Sequence, residues 1–242
     1  MRCFQLFFIF AVMVVSCSYN ADKNYLPKAS TEESRTQQTI FYDTLIDLTD
    51  LRRGDILVKP NHNWLPGTAL VKGGSGFGHA MIVVEGAIGE NSEEVLKKSV
   101  IFESHSRPVP PEYELRKAKA YQTGIDFRYD NISFAPINTG FRYRLRPSLS
   151  EAQIDSVIMF IIEQDNGLSS WRAQKKYADH TELTNRQHQT YWYCSQLIWQ
   201  AFFSVLNIDL DSNGGVMVFP NDLVASPFFR NDSINQNLRV RF

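Results

Sequence analysis

Apolar positions change their spacing several times along the chain, and each change marks an element. Phe4 to Val15 is an almost unbroken apolar run, and Ser18 to about Gln38 is polar, mixed in charge and aperiodic. Ile40, Phe41, Leu45, Ile46 and Leu48 then fall at a spacing that predicts a short helix within Thr39 to Asp50. Leu51-Arg52-Arg53-Gly54-Asp55 is a turn signal ahead of a short strand, Ile56-Leu57-Val58. Residues 60–78 hold Pro60, Pro66 and a concentration of glycines, which predicts a surface loop. His79 to Glu85 reads as an apolar strand, Gly86 to Lys98 as its connection, and Ser99 to Ser104 as the next strand. Ile125 to Ile137 and Gly140 to Leu145 add two or three more. The period then becomes helical. Ser150 and Gln153 form a capping box ahead of Ile154, Val157, Ile158, Ile161 and Ile162, and Gly167 closes that helix. After a polar stretch from Ser169 to Gln189, Cys194 opens a second helix with Leu197, Ile198, Ala201, Phe202, Val205 and Leu206 on its apolar face. In Val218-Phe219-Pro220-Asn221-Asp222-Leu223, proline forces an extended entry into a turn. Strands followed by helices predict an α+β fold: a small antiparallel sheet or partial barrel packed against helices.

The first segment is expected to be a targeting signal rather than part of the fold. Arg2 supplies a positive start, and the apolar run is shorter than the roughly 20 residues a spanning helix needs. It ends in Val14-Val15-Ser16-Cys17, which resembles the lipobox of bacterial lipoproteins. That resemblance implies a signal peptide over 1–16, a lipid on the Cys17 thiol and a tether over 17–38. It also implies a cell-envelope location anchored to a membrane, and Ser18 in place of Asp suits the outer membrane. Residues 39–242 are enough for one domain with its own core. Apolar content is 43% and net charge is −1, so no basic excess points to nucleic acid.

The cysteine count narrows the chemistry. Of three cysteines, Cys3 leaves with the signal and Cys17 takes the lipid, so Cys194 is the one thiol left in the mature protein. Such a thiol is either a small buried hydrophobe or a reactive group. Its position at a predicted helix start, after Tyr191-Trp192-Tyr193, suits reactivity. Helix N-terminal N–H groups and partial positive charge favour thiolate, lowering the pKa below the free value of about 8.5. The same groups can receive an oxyanion. A thiol nucleophile needs a base, and the histidines are His62, His79, His105, His180 and His188. His79 follows Gly73-Gly74-Ser75-Gly76-Phe77-Gly78 and opens an apolar strand, which sets it at the rim of the sheet. Glu103 and His105 share a face at the end of the neighbouring strand, so either can reach His79, and a carboxylate better stabilises an imidazolium. Tyr191, Tyr193 and the backbone at Gly78 are candidates to line a substrate cleft. Packing beside the helix is the alternative for the tyrosines.

Gly54-Asp55-Ile56, followed by Gly78-His79-Ala80-Met81-Ile82-Val83-Val84, resembles the middle of the NlpC/P60 papain-like hydrolases. Here the cysteine helix comes last, so the chain resembles the circularly permuted, YiiX-like branch of permuted papain-like amidases. Tyr193-Cys194-Ser195-Gln196-Leu197 and Pro220-Asn221-Asp222-Leu223 also resemble that branch, from about Leu51 to Ser226. The resemblance implies Cys194 as nucleophile, His79 as base, Glu103 as its orienting partner and a structural turn role for Asp55. It departs at the long glycine-rich loop before His79 and at Gln196, where an acidic residue is common.

The function this implies is thiol-dependent hydrolysis of an amide through an acyl-thioester, with envelope peptide, peptidoglycan above all, as the substrate. Acyl transfer or thioester hydrolysis on lipids is a rival on the same machinery, and non-catalytic binding of wall peptides is another. No cofactor is implied. His62, His79 and Cys194 lack zinc-site spacing, so no metal is expected.

Overall fold

The structure is a computed structural model that describes residues 45–60, 77–104, 114–120, 142–165, 167–170, 173–177, 191–211, 214–232, 234 and 237–242. The predictions for residues 39–44, for the loop over 61–76 and for the strands over 125–137 lie outside these, as do Cys17, His62, His105, His180 and His188.

Strand alternation builds the centre of the molecule. β1 (Asp50–Leu51) leads through the Gly54 turn into β2 (Ile56–Pro60), which pairs antiparallel with β3 (Phe77–Glu85). β3 pairs in turn with β5 (Val100–Ser104), and β5 with β6 (Leu115–Lys119). On the other side β2 pairs with β7 (Tyr143–Leu145), and β7 with β10 (Arg239–Arg241), giving a six-stranded antiparallel sheet ordered β10-β7-β2-β3-β5-β6. Two small ribbons flank it: β1 with β4 (Ala87–Ile88), and a parallel pair of β8 (Leu168–Ser169) with β9 (Tyr191–Trp192).

Because successive side chains point to opposite faces, one strand feeds two cores. Ile56, Val58, Ala80, Ile82, Val84 and Phe102 meet helix α2 (Glu151–Ile162) and helix α3 (Cys194–Leu206) through Val157, Ile158, Ile161, Leu197, Ile198 and Phe202. Leu57, Met81, Val83 and Ile101 face the other way, onto Leu48, Leu51 and helix α1 (Ser92–Lys98). The layers are therefore those of an α+β domain with a mostly antiparallel sheet packed against helices. β3 is buried on both faces, which is why it reads as a continuous apolar run rather than an alternating one.

Three local predictions are corrected. Residues 45–50 form no helix. Leu45 bridges to Arg241 and Asp50 opens β1, so sheet pairing overrides the helical spacing. The connection after β3 contains α1, capped by the Asn91 side chain accepting from Glu94 N–H, with Glu93 and Glu94 first and Lys97 and Lys98 last. Its seven residues are too few for a period to show. The turn at Pro220 begins a short helix, α4 (Pro220–Ala225), with proline in the first turn, where no N–H is needed. By contrast α2 starts at the predicted capping box, with both arms of the Ser150 and Gln153 exchange in place.

The turn into β2 is held by charge. Asp55 is 1% exposed, and its carboxylate takes both arms of the Arg146 guanidinium at 2.7 and 2.8 Å as well as Arg52 N–H at 2.8 Å. Gly54 has φ +88°, and a Cβ there would stand 2.6 Å from Ile154 Cδ1, so both backbone and space require glycine. Asp55→Ala is expected to cost on the order of 3 kcal/mol, because it strips a mostly buried guanidinium of its two-armed partner and leaves it only Asp50, at 3.1 Å. Asp55→Asn is expected to recover part of the loss by keeping an acceptor for Arg52 N–H. Urea melts of the three proteins check both statements.

Candidate active site

The row of side chains at one end of the sheet follows from strand register. Lys59 of β2 lies directly across from His79 of β3, and Glu103 of β5 across from Arg116 of β6. His79, Met81 and Val83 alternate onto the same face as Leu57 and Ile101, and Glu103 falls on that face beyond Ile101. The core of that face ends where the polar row begins.

Glu103 is the centre of the row. Its side chain has no exposure, so an unpaired carboxylate there would be strongly unfavourable. Each oxygen has its own cationic or ring partner. Oε1 accepts from Arg116 Nε and Nη2, both at 3.0 Å, and Oε2 lies 2.8 Å from His79 Nε2. When Nε2–H is the donor, the tautomer is set and proton exchange falls to Nδ1. The structure thus brings His79 and Glu103 together.

Cys194 arrives from the helical side. It is the first residue of α3, whose N-cap, Tyr193, offers no side-chain hydrogen bond to the helix start. The thiol is buried at 5% exposure, and the Ala80 backbone hydrogen-bonds to it. Ala80 follows His79 in β3, so this bond sets the sulfur against the residue adjoining the imidazole. Ser195 Oγ stands 3.9 Å from the sulfur. Burial pushes the Cys194 thiol above its ordinary value, and the Ala80 N–H, the Ser195 hydroxyl and backbone, and the charge of Lys59 pull against it. This corrects the expectation of a lowered value: desolvation outweighs the helix start while the site is at rest. Burial likewise pushes the Lys59 ammonium down to about 8, opposed by Glu103 and Cys194 and aided by Arg142 and Arg116.

The residues around Cys194 are locked from three directions. Ser104, next to Glu103 but on the opposite face, donates to Trp192 O at 2.9 Å, and Trp192 Nε1 donates to Gln164 at 3.1 Å. Tyr193 and Ser195 bracket the nucleophile and hold both backbone groups of Val218. The Val218 N–H donates to the Tyr193 hydroxyl at 2.9 Å, and the Ser195 hydroxyl donates to Val218 O at 2.6 Å. Asp222 then accepts from Phe219 N–H at 2.7 Å and starts α4, which accounts for the Pro220-Asn221-Asp222-Leu223 motif. Tyr193 is therefore packed and hydrogen-bonded at 1% exposure, while Tyr191 is 44% exposed and Gly78 lies in β3 beside His79. Gln196, the departure from the resembled pattern, is also buried and donates to Gln174 O at 3.1 Å.

Sequence reasoning missed Lys59 and Arg116. Lys59 was legible as the residue that alternation places with His79 at the end of β2. Arg116 lies on a strand that no pattern announced. Among the described residues no group of three or more His, Cys, Asp or Glu is placed to hold a metal ion.

Fold and site together define an α+β domain with a buried thiol at a helix start, beside a His–Glu–Arg row on a sheet rim. No protein-family model matches the chain. The uncharacterized protein YycO of Bacillus subtilis (strain 168) is 49% identical over 35 residues, which is 14% of this chain and 14% of that protein's length. The crystal structure of metalloprotein yiiX from Escherichia coli O157:H7, DUF1105, aligns with a TM-score of 0.43 at 12% identity, over 79% of this chain and 96% of that one.

Tyr193→Phe and Ser195→Ala each leave one buried group of Val218 without its partner. Each is expected to cost about 1–3 kcal/mol. Thermal melts are the check, and the double variant is expected to fall short of additivity because both act on one peptide segment.

Proposed function

We propose that the domain is a cysteine hydrolase of the circularly permuted papain-like type, which cleaves an amide bond through a thioester on Cys194. The observation that carries this reading is the pairing of His79 with the buried Glu103 carboxylate, next to Ala80, whose N–H meets the Cys194 sulfur. The order Gly54-Asp55, His79, Glu103, Cys194 supports it, because each of these motifs has a physical task at that place in the fold.

The chemistry follows from the bonds. With Nε2–H donating to Glu103, His79 Nδ1 takes the proton of the thiol as the substrate carbonyl approaches. The thiolate sulfur bonds to the carbonyl carbon, and the electron pair moves to the oxygen, which the backbone N–H groups at the start of α3 receive. The C–N bond breaks as the imidazolium returns its proton to the leaving amine, which leaves a thioester. Water, losing a proton to His79, attacks that thioester. The acid departs and the thiol is restored. A neutral, buried resting thiol fits this sequence, since charge develops on sulfur only when the imidazole can take the proton. Glu103 does not itself need to accept a proton. It holds the ring and offsets the imidazolium charge, while Arg116 occupies its second oxygen.

The lipobox-like Val14-Val15-Ser16-Cys17 and the polar segment after it support a domain tethered to a membrane in the cell envelope. Among the described residues no helix is long and apolar enough to cross a membrane. A peptide of the envelope, with peptidoglycan the foremost source, is the substrate class that this location favours.

The test is covalent labelling of the full chain with a thiol-directed acyl probe, read by mass spectrometry on the Cys194 peptide. Cys194→Ala is expected to abolish that adduct. His79→Ala is expected to slow labelling at pH 7 by about a hundredfold or more, the usual scale for loss of a positioned base. Labelling of His79→Ala at the wild-type rate would sink the proposal.

A further inference from the structure

The polar row of the candidate active site closes one end of β2, and the other end borders a cleft that has no task in the chemistry above. The cleft opens between the Gly54 turn and the start of α2 and has a volume of about 450 Å³. That size falls within the roughly 300–1,000 Å³ of small-molecule sites.

We propose that this cleft is a second binding site, which takes a short zwitterionic peptide with its carboxylate at Arg52 and its ammonium at Glu151. The inference goes beyond the hydrolase reading and does not rest on it.

The two walls come from different elements. The turn contributes Arg52 and Arg53, and α2 contributes Glu151 and Asp155, which lie four residues apart and so share a face of the helix. Arg53 ties the walls together, with Nε donating to Asp155 at 2.9 Å and Nη1 to Val84 O at 2.8 Å. Arg146 is occupied by Asp55 and Asp50. Two groups of opposite sign are left over, one on each wall. Arg52 uses only Nε, to Asp50 at 2.9 Å, and its side chain is 70% exposed. Its Nη1 and Nη2 have no partner among the described residues. The exposed Glu151 side chain makes no hydrogen bond or ion pair among the described residues.

Charge then selects the ligand. The lining carries the guanidiniums of Arg52, Arg53 and Arg146 and the carboxylates of Asp55, Glu151 and Asp155, in equal number, so the cleft as a whole favours neither a simple anion nor a simple cation. The start of α2 adds no anion site of its own, because Ser150 and Gln153 already cap it. A molecule with both charges fits. The paired N–H groups of a guanidinium match the two oxygens of a carboxylate, and Glu151 accepts from an ammonium. Pro147, Leu149 and Ile154 give an apolar surface for a side chain between them. A free amino acid carries both charges on one carbon, whereas Arg52 and Glu151 stand on opposite walls, which favours a peptide.

The test is an NMR titration of the full chain with the tripeptide Ala-Leu-Ala, followed at the backbone amides of Arg53, Gly54 and Leu149. Saturable shifts are expected there. The N-acetylated and the C-amidated tripeptides are each expected to bind about tenfold more weakly, the scale of one lost charge-assisted contact. Arg52→Gln is expected to erase the difference between free and amidated peptide, and Glu151→Gln the difference between free and acetylated peptide. Both replaced side chains are exposed, and the rate of acyl labelling at Cys194 is expected to stay at the wild-type value in both variants. Absence of saturable shifts at the turn overturns the proposal, as do shifts confined to the surroundings of Cys194. Equal binding of blocked and free peptides, or of free leucine and the tripeptide, overturns it too. Because the readout lies at the Gly54 turn, these outcomes are separate from failure of the hydrolase reading, which shows at Cys194 and His79.

Discussion

A carboxylate cut off from water must be answered by charge and hydrogen bonds where it sits, and Glu103 is in that position. Its two oxygens are divided between the Arg116 guanidinium and the His79 ring. The division fixes three things together. It pins β5 to β6 through a charged cross-strand pair, holds one nitrogen of the imidazole, and, with Nε2–H as donor, leaves the other ring nitrogen for proton exchange. Remove the carboxylate, and a partly buried guanidinium and a ring without this acceptor are left behind. Local stability and proposed chemistry therefore rest on the same atoms.

The thiol is set by a different balance. A helix start offers unpaired N–H groups and positive potential, yet Cys194 lies beneath the surface, where charge is penalised. Burial wins at rest. Activation then has to come from groups that act when a proton can leave. The Ala80 N–H, the hydroxyl and backbone of Ser195 at the helix start, and the Lys59 ammonium all pull toward the thiolate. The double clamp on Val218 ties the start of α3 to the segment that enters α4, so the residues on either side of Cys194 are held in place.

The far end of β2 supplies the rest of the rigidity. Gly54 makes the turn, and Asp55 ties it to Arg146 beyond β7, so β2 is gripped at its start by an ion pair and at its end by the polar row. The segment between carries Ile56 and Val58 to one core and Leu57 to the other. One strand thereby links the two hydrophobic clusters, and the order Gly-Asp, strand, site residue is a mechanical chain as well as a motif.

Much of this was legible in the order of residues. Period and capping chemistry are local, so α2 with its Ser150 box, α3 beginning at Cys194 and the apolar β3 could be read directly. Alternation put Glu103 on a face that reaches His79, because a pleated strand permits only two directions. What spacing could not supply was anything that depends on a distant partner. Leu45 to Asp50 carries helical spacing but pairs with β10 and β4, since ladder bonds from elsewhere outbid a short local preference. Arg116 sits on a strand without an apolar signature, and the burial of the Cys194 thiol follows from how α3 packs in the fold, which spacing does not show. The sequence by itself determined the elements, the turn at Gly54 and the residue types able to do acyl chemistry. Tertiary structure alone decided which of them share a desolvated space, because burial and charge depend on what surrounds an atom rather than on what precedes it in the chain.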